Sequence, residues 1–584
     1  MLGNAVRDFI SCMKKLAMLT VKGAVGLVPK AVRNKLKSNH KLTEFYSRSL
    51  QRSGLFYGFP SEKKRMALYR DYLKHQSKIL GSTTVSREAN LDFTFIILGH
   101  KSLSISLENL REASNDEIDI RVVTEKALGI KVSRFSTLAE AVSGLDDNKL
   151  LFFLNSGDTI THETVRVFAN KDEEADLIYC DSDRIDVKKR RVSPHFLPDW
   201  NPELQYSTGY VFTGVKCKAK LIKQNAVKSQ TIAGLVTELW LKQPGLLIKH
   251  LPFTLLHRTT NKVVVDESLE DIRERLSDST SAVASFNAEL GVNHLQWPIV
   301  SEPLVSLIIP TKNAKNLVKA CIESILDKTT YQNFEILLID NGSDEKDSID
   351  YFNELNKHPK INVLSYPGEF NYSAINNFGV QHASSESTII GLINNDIEVI
   401  EPNWLTAMVG HAGREGIGCV GAKLLYSDGR IQHAGVVMGY GGGAGHAHKY
   451  FPRYHPGYIK RLIATQNYSA VTAACLLVKK SLFLEVGGLN EKDLTVAFND
   501  VDFCLKVQET GVRNVYCAEA ELYHHESVSR GTDHAPEKAA RFNRELKYLK
   551  KQWGMYIEHD PAYSPNLTLM RENFSVKTKE EFSL

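Results

Sequence analysis

Ile389-Ile390-Gly391-Leu392-Ile393-Asn394-Asn395-Asp396 is a run of strand-forming residues that ends on two amides and a carboxylate. A carboxylate at the mouth of a buried strand is where a protein can hold a divalent cation against a phosphate. Outward from this run, the pattern alternates from residue 304 onward. Strands are predicted over 304–310, 334–340, 361–365 and 388–393, with helices over 317–326, near 349–355 and near 372–382. Such a βαβ series implies an α/β fold with a mainly parallel sheet covered by helices. Ligands bind at the carboxyl ends of the strands in these sheets, where Thr311, Asp340 and Asn394 to Asp396 all fall.

A weaker copy of the plan precedes it. Strands are predicted over 93–98, 120–124 and 150–154, the last followed by Asn155-Ser156-Gly157-Asp158, and a further strand over 175–179 runs into Asp181-Ser182-Asp183. Two related units follow from this, with a boundary near Trp297-Pro298 and Glu302-Pro303.

The chain has 584 residues, 43% of them hydrophobic and 24% charged, enough apolar surface for several cores. Its net charge of +4 hides a segregation: residues 1–75 hold 16 Lys and Arg against 4 Asp and Glu, leaving about −8 on the rest. That distribution argues against a nucleic-acid-binding body. Val6, Phe9, Ile10, Met13 and Ala17 recur at helical spacing with Arg7, Lys14 and Lys15 on other faces. Both a helix on an anionic membrane surface and a solvated helix against the next domain fit this pattern. The apolar stretch over 16–28 is too short to span a bilayer, and the eight cysteines form no CxxC pair. A cytoplasmic chain with reduced thiols is the expectation, peripheral on the inner membrane face if the basic segment binds lipid.

Several groups could carry chemistry. Asp396 could bind a metal, although Asn and Asp at strand ends are also ordinary turn residues. Asp340 opens Asp340-Asn341-Gly342-Ser343, which suits either a nucleobase contact or a turn. Asp500 and Asp502 stand near the start of a helix, where one carboxylate can serve the positive helix end and the other is left for something else. His524 and His525 end a strand-like segment over 519–523, and either could be a metal ligand. His433, His446 and His448 flank Gly441-Gly442-Gly443, whose flexibility suits an acceptor-site lid.

These pieces, in this order, resemble the family-2 glycosyltransferases, inverting enzymes of the GT-A fold. The matches are Pro310-Thr311-Lys312-Asn313, Ile339-Asp340-Asn341-Gly342-Ser343, Asn376-Asn377-Phe378-Gly379, Asn394-Asn395-Asp396, Val486-Gly487-Gly488, Asn499-Asp500 and His524-His525-Glu526-Ser527. The likeness extends to large bacterial enzymes of rhamnan or O-antigen synthesis, through residues 435–448, Thr472-Ala473-Ala474-Cys475 and Ser529-Arg530-Gly531. The resemblance implies tandem GT-A units. They would comprise a basic, largely helical extension over 1–90, a truncated and inactive unit over 91–297, a catalytic unit over 298–531, and a helix with an extended tail over 532–584.

It also implies that Thr311, Asn313, Asp340, Asn377, Asn394 and Asn395 contact the nucleotide, and that Asp396 and His524 hold Mg²⁺ or Mn²⁺, with His525 as the competing ligand. Asp500 would be the general base toward a hydroxyl of a glycan or lipid-linked glycan acceptor, the donor being a nucleotide sugar. Two departures stand out: Asn394 replaces an acidic residue common in the family, and Asn499 stands where many members carry Glu. The first unit resembles the fold at 175–183 and 196–202, but Glu238 is the only acid over 227–245, where the family places the helix bearing its base. A non-catalytic glycan-binding scaffold is the rival reading. A nucleotidyltransferase would need a Gly-rich basic loop after its first strand, which Thr311-Lys312-Asn313-Ala314 does not provide.

Overall fold

The computed structural model describes residues 17, 20–21, 60–82, 93–113, 118–129, 131–169, 174–259, 262–525 and 536–582. The predicted amphipathic helix over 6–17 and the motif residues 526–531 therefore lie almost entirely outside the described residues.

In the first unit the strands are β1 (Phe93–Leu98), β2 (Asp119–Val123), β3 (Ser133–Phe135), β4 (Leu150–Asn155), β5 (Thr159–Ile160), β6 (Leu177–Ile185), β7 (Arg191–His195), β8 (Val215–Lys218) and β9 (Ile248–His257). Their order is β3-β2-β1-β4-β8-β6-β9-β5, with β7 paired to β6. A hairpin of β10 (Val283–Asn287) and β11 (Val292–Gln296) closes this half. The second unit has β12 (Val305–Thr311), β13 (Phe334–Asp340), β14 (Ile361–Ser365), β15 (Ile389–Ile393), β16 (Ile397–Val399) and β17 (Ile417–Leu425). After four short strands, β18 (Ile431–His433), β19 (Val436–Met438), β20 (Ala444–His446) and β21 (Gln466–Asn467), it ends with β22 (Cys475–Lys479) and β23 (Arg513–His524).

The main path of the second sheet is β14-β13-β12-β15-β22-β17-β23-β16. Taken strand by strand, this is the connectivity of the first sheet. The first unit is shorter in several connections: residues 186–214 join β6 to β8 where residues 426–474 join β17 to β22, and residues 124–132 join β2 to β3 where residues 341–360 join β13 to β14.

Strand β12 is buried at every position because helices cover both faces of the sheet. Leu307 and Ile309 enter one core with Ile336 and Leu338, while Ile308 enters the other with Leu337 and Ile339. This two-residue alternation turns an unbroken apolar run into two cores. Parallel register sets Thr311 beside Asp340 and Ile308 beside Leu392, so the polar strand ends share one rim.

Helix α1 (Glu62–Ser82), the described part of the basic extension, docks on the first unit: Gln76 Nε2 donates to Thr254 O at 3.1 Å and Gln76 Oε1 accepts from Thr254 N at 2.7 Å. The two units are joined by polar contacts. Asn201 Nδ2 donates to Asn467 O at 2.8 Å, Ser207 Oγ donates to Thr465 O at 2.9 Å, and buried Glu203 meets Arg414 at 2.9 Å. The tail beyond residue 558 straps both, with Asn566 Nδ2 donating to Asp181 Oδ2 at 3.1 Å and Ser469 Oγ donating to Asp560 Oδ1. Among the described residues, no helix is long and apolar enough to cross a membrane.

Candidate active site

Strand β15 ends at Ile393 and the chain turns through Asn394-Asn395-Asp396 into β16, which pairs antiparallel with β23 and sets Ile397 opposite His524. That register brings the sequence-distant histidine to the carboxylate: His524 Nε2 lies 3.2 Å from Asp396 Oδ1, both side chains being largely buried. Asn394 Nδ2 lies 3.2 Å from the same ring nitrogen, and Asn394 Oδ1 accepts from Tyr372 O–H at 3.0 Å. The Tyr372 hydroxyl is also 3.2 Å from Ala473 O, and Ala473 N donates to Asp500 Oδ2 at 3.2 Å. A connected path therefore runs from Asp500 through Ala473, Tyr372, Asn394 and His524 to Asp396. It exists because β15 and β22 are antiparallel neighbours, with Ile393 opposite Cys475, so the segment entering β22 borders the turn leaving β15.

Asp500 is the second residue of α4 (Asn499–Glu509) if α2 (Ile232–Lys242) and α3 (Tyr372–Gln381) denote the two earlier helices that matter here. Burial pushes its carboxyl above the usual carboxylate range, opposed by hydrogen bonds from Thr472, Ala473 N and Val501 N. Asp502 points into the protein instead, 1% exposed, taking the Trp553 Nε1 hydrogen bond at 2.8 Å. Only Asp500 of this pair is joined to the strand-end network.

The predicted nucleotide residues gather at the strand ends but fasten one another. Asn395 Nδ2 donates to Thr311 Oγ1 at 2.9 Å. Asp340 Oδ1 accepts from Ser343 N at 2.9 Å, and Asn313 Oδ1 accepts from Asp344 N and Glu345 N at 3.0 and 3.1 Å. Asn313 itself has φ +53, so the loop after β12 is a shaped one. Asn377 lies on the far turns of α3 with its amide committed: Nδ2 donates to Leu489 O and Glu491 Oε1, and Oδ1 accepts from Leu489 N. Gly488 makes this approach feasible, having φ +70 and an absent Cβ that would sit 2.6 Å from Asn377 Oδ1. Asn377 thereby anchors the segment that leads to Asp500. His525 turns to Ser427 Oγ at 2.7 Å and Glu398 Oε2 at 3.2 Å, leaving His524 as the histidine on Asp396.

Tyr372 is the site residue that the sequence reading missed. It was visible only as the start of a helix, and its role depends on α3 lying against β15 and β22. The glycine loop is not the free lid expected: Gly439 N donates to Gly443 O at 2.7 Å and Gly441 N to Leu569 O at 3.2 Å, while His448 is buried and stacks on Phe574 at 4.3 Å.

The Asp396–His524 pair could supply two ligands to a divalent cation. Asn394 Nδ2 and Asp396 Oδ1 both stand 3.2 Å from His524 Nε2, so this ring nitrogen is shared between an amide and a carboxylate. Two neighbouring ligands of a small cation, each about 2.1 Å from it, lie about 3 Å apart, which agrees with the 3.2 Å separation seen. Among the described residues no group of three or more His, Cys, Asp or Glu could hold a metal, so the pair would supply two ligands and leave the rest to substrate and water.

The first unit keeps the same framework with different chemistry. Asp158 immediately precedes β5, and Thr159 pairs with His257 as Ile397 pairs with His524. Asp158 is fully buried, however, and is satisfied by Thr213 Oγ1 and Thr259 N, each at 2.8 Å, while His257 bonds to Asp183. Asp181 is equally enclosed by His250 Nε2 and Leu197 N, both at 2.8 Å. Helix α2 occupies the place of α4, with Ala233 as its second residue where Asp500 stands, and Glu238 is spent on Ser229 and Lys242.

Residues 306–487 match the sequence profile of "Glycosyl transferase family 2". The chain is 40% identical over 490 residues to an uncharacterized protein, y4gI, of Sinorhizobium fredii, covering 80% of this chain and 53% of that protein. It is 29% identical over 521 residues to the O-antigen biosynthesis protein RfbC of Myxococcus xanthus, covering 85% of this chain and 40% of that one. A shorter match, 37% over 79 residues, joins 14% of the chain to 25% of an N-acetylglucosaminyl-diphospho-decaprenol L-rhamnosyltransferase of Mycobacterium tuberculosis. The chain thus spans about half or less of the length of the curated relatives it matches. Among solved structures, GalNAc-T7 with UDP, GalNAc and Mn²⁺ aligns at TM-score 0.36 and 14% identity over 52% of this chain and 61% of that one. By this profile match, residues 306–487 of the second unit are similar to glycosyl transferase family 2 domains.

Proposed function

We propose that the chain is an inverting glycosyltransferase that moves a sugar from a nucleoside-diphosphate-sugar donor to a hydroxyl group of a growing bacterial surface polysaccharide of the O-antigen or rhamnan kind. The observation that carries this reading is the hydrogen-bonded path joining Asp500 to the Asp396–His524 pair at the carboxyl rim of the sheet. Similarity to an O-antigen biosynthesis protein of Myxococcus and to an N-acetylglucosaminyl-diphospho-decaprenol L-rhamnosyltransferase of Mycobacterium supports a glycan or lipid-linked glycan acceptor.

In the transfer, Asp500 takes the proton of the acceptor hydroxyl as that oxygen bonds to C1 of the donor sugar. The bond from C1 to the diphosphate breaks and its electron pair leaves with the nucleoside diphosphate. Burial that raises the Asp500 carboxyl makes it a stronger base for this role. Asp396 and His524 would hold Mg²⁺ or Mn²⁺, which as a Lewis acid offsets the charge on the leaving diphosphate. Thr311, Asn313, Asp340, Asn394 and Asn395 shape the rim for the nucleotide, and Asn377 fixes the segment leading to the base.

The first unit, a second GT-A-like body, acts in this reading as scaffold. Its carboxylates are closed by protein partners, and it holds residues 465–467 of the second unit. A cytoplasmic enzyme held at the inner membrane face by residues 1–75 is the matching location, tested by sedimentation with anionic vesicles with and without that segment.

The test is release of nucleoside diphosphate from a panel of UDP-, GDP- and dTDP-sugars with Mg²⁺ or Mn²⁺. Metal-dependent turnover of one donor, abolished by chelator, is expected. Glycan binding without turnover of any donor would favour the scaffold alternative for the whole chain.

A further inference from the structure

The residues that fix the entry to α4 come from outside the family match, from the C-terminal helix α5 (Pro536–Gln552). Glu545 is 2% exposed and spends its carboxylate on the loop before Asp500. Its Oε1 accepts from Thr495 Oγ1 at 2.9 Å and Val496 N at 3.0 Å, and its Oε2 accepts from Ala497 N at 3.1 Å. Arg541 Nε stands 3.8 Å away on the same helix. Phe498, the next residue, has φ +60, a conformation costly for a residue with a side chain, and its ring packs on Phe542 of α5 at 5.3 Å. One turn into α4, Asp502 takes the Trp553 indole hydrogen bond at 2.8 Å. From the other side, Thr495 O accepts from Tyr372 N at 2.8 Å, so the loop held by Glu545 is tied to the residue at the centre of the site.

We propose that Glu545 is a positioning residue for transfer: it holds the Thr495–Phe498 loop in its strained entry to α4 and so sets where the Asp500 carboxylate stands. This rests on the reading of Asp500 as the base. Three acceptor contacts require both carboxylate oxygens. A glutamine offers one oxygen and turns an N–H₂ toward a backbone N–H, which releases the loop while keeping size and shape. Displacement of a catalytic group by about 1 Å can lower turnover about 10²-fold, without touching the donor's contacts on the strand rim.

The experiment uses the full chain with Mn²⁺ and the UDP-, GDP- or dTDP-sugar that the donor panel shows to be turned over, and compares Glu545→Gln, Asp500→Asn and the double variant. Glu545→Gln is expected to lower kcat about 10²-fold at an unchanged donor KM, and to have little further effect in the Asp500→Asn background, because it acts through the same group. Wild-type kcat in Glu545→Gln, a rise in donor KM alone, or an equal further loss on top of Asp500→Asn would overturn the proposal. Wild-type turnover by Asp500→Asn would instead overturn the base itself. Should Glu545→Gln not fold, Trp553→Phe carries the test: it deletes the indole donor to Asp502 while keeping an aromatic ring, and is expected to lower kcat at constant KM. An unchanged kcat there would count against the clamp.

Discussion

Asp158 and Asp396 stand at the same step of two sheets with one strand order, each the last residue before the short strand that pairs with a histidine-bearing strand. One is fully buried and capped by threonines; the other shares its rim with His524. Their substitutions should therefore differ in kind. Asp158→Asn is expected to cost about 1–3 kcal/mol of stability, as Thr259 N–H or Thr213 O–H loses its acceptor, with donor turnover per folded molecule unchanged. Asp396→Asn should leave thermal unfolding of the metal-free protein nearly unchanged and weaken Mn²⁺ binding, measured by calorimetry.

Tyr372 links the two ends of the site through one hydroxyl. Tyr372→Phe keeps the ring and removes the link, freeing the Asn394 amide to turn. Loss of such an outer contact weakens a metal site about 10- to 100-fold, and a comparable drop in Mn²⁺ affinity is expected here. Unchanged affinity would mean that Asn394 is oriented by other contacts.

Glu203 joins the two units through Arg414 and Arg513. Burial opposes its charge, yet the two guanidinium groups hold its carboxyl down to about 2, against an ordinary 4.5. A depressed folded value means stability that is present above 4.5 and lost as pH falls from there toward 2. The urea midpoint of the wild type should decline through that window, and that of Glu203→Gln should decline less while lying lower at pH 7. Removing one partner of a buried ion pair costs about 3–5 kcal/mol.

Gly379 lets α3 lie close on the second sheet, since a Cβ there would come 2.4 Å from Ile308 Cγ2. Gly379→Ala should push the helix outward, cost about 1–3 kcal/mol and lower activity through Tyr372. Thermal unfolding and turnover measured together check this; an unaltered melting temperature would contradict it.

Much of the second unit was legible because its strands are continuous apolar runs closed by polar residues, and because Asp396, Asp500 and His524 fall in a recognisable order. The pairing of Asp396 with His524 was implied only by the resemblance, with His525 competing, since the contact itself depends on β16 and β23 being antiparallel neighbours across more than a hundred residues. Asn377 and Asp340 were read as nucleotide contacts from their motifs, whereas the structure shows which loops their side chains fasten. The clamp from Glu545 lay beyond reach of sequence reasoning, because a single Glu in a charged helix carries no sign of the backbone it will meet.

The central claim is that Asp500 removes the acceptor proton. The direct measurement is steady-state release of nucleoside diphosphate by Asp500→Asn, alongside its donor affinity with Mn²⁺. The account expects a folded protein with wild-type donor affinity and turnover reduced about 10²- to 10⁴-fold, the range of a lost general base. Turnover at the wild-type rate would contradict it.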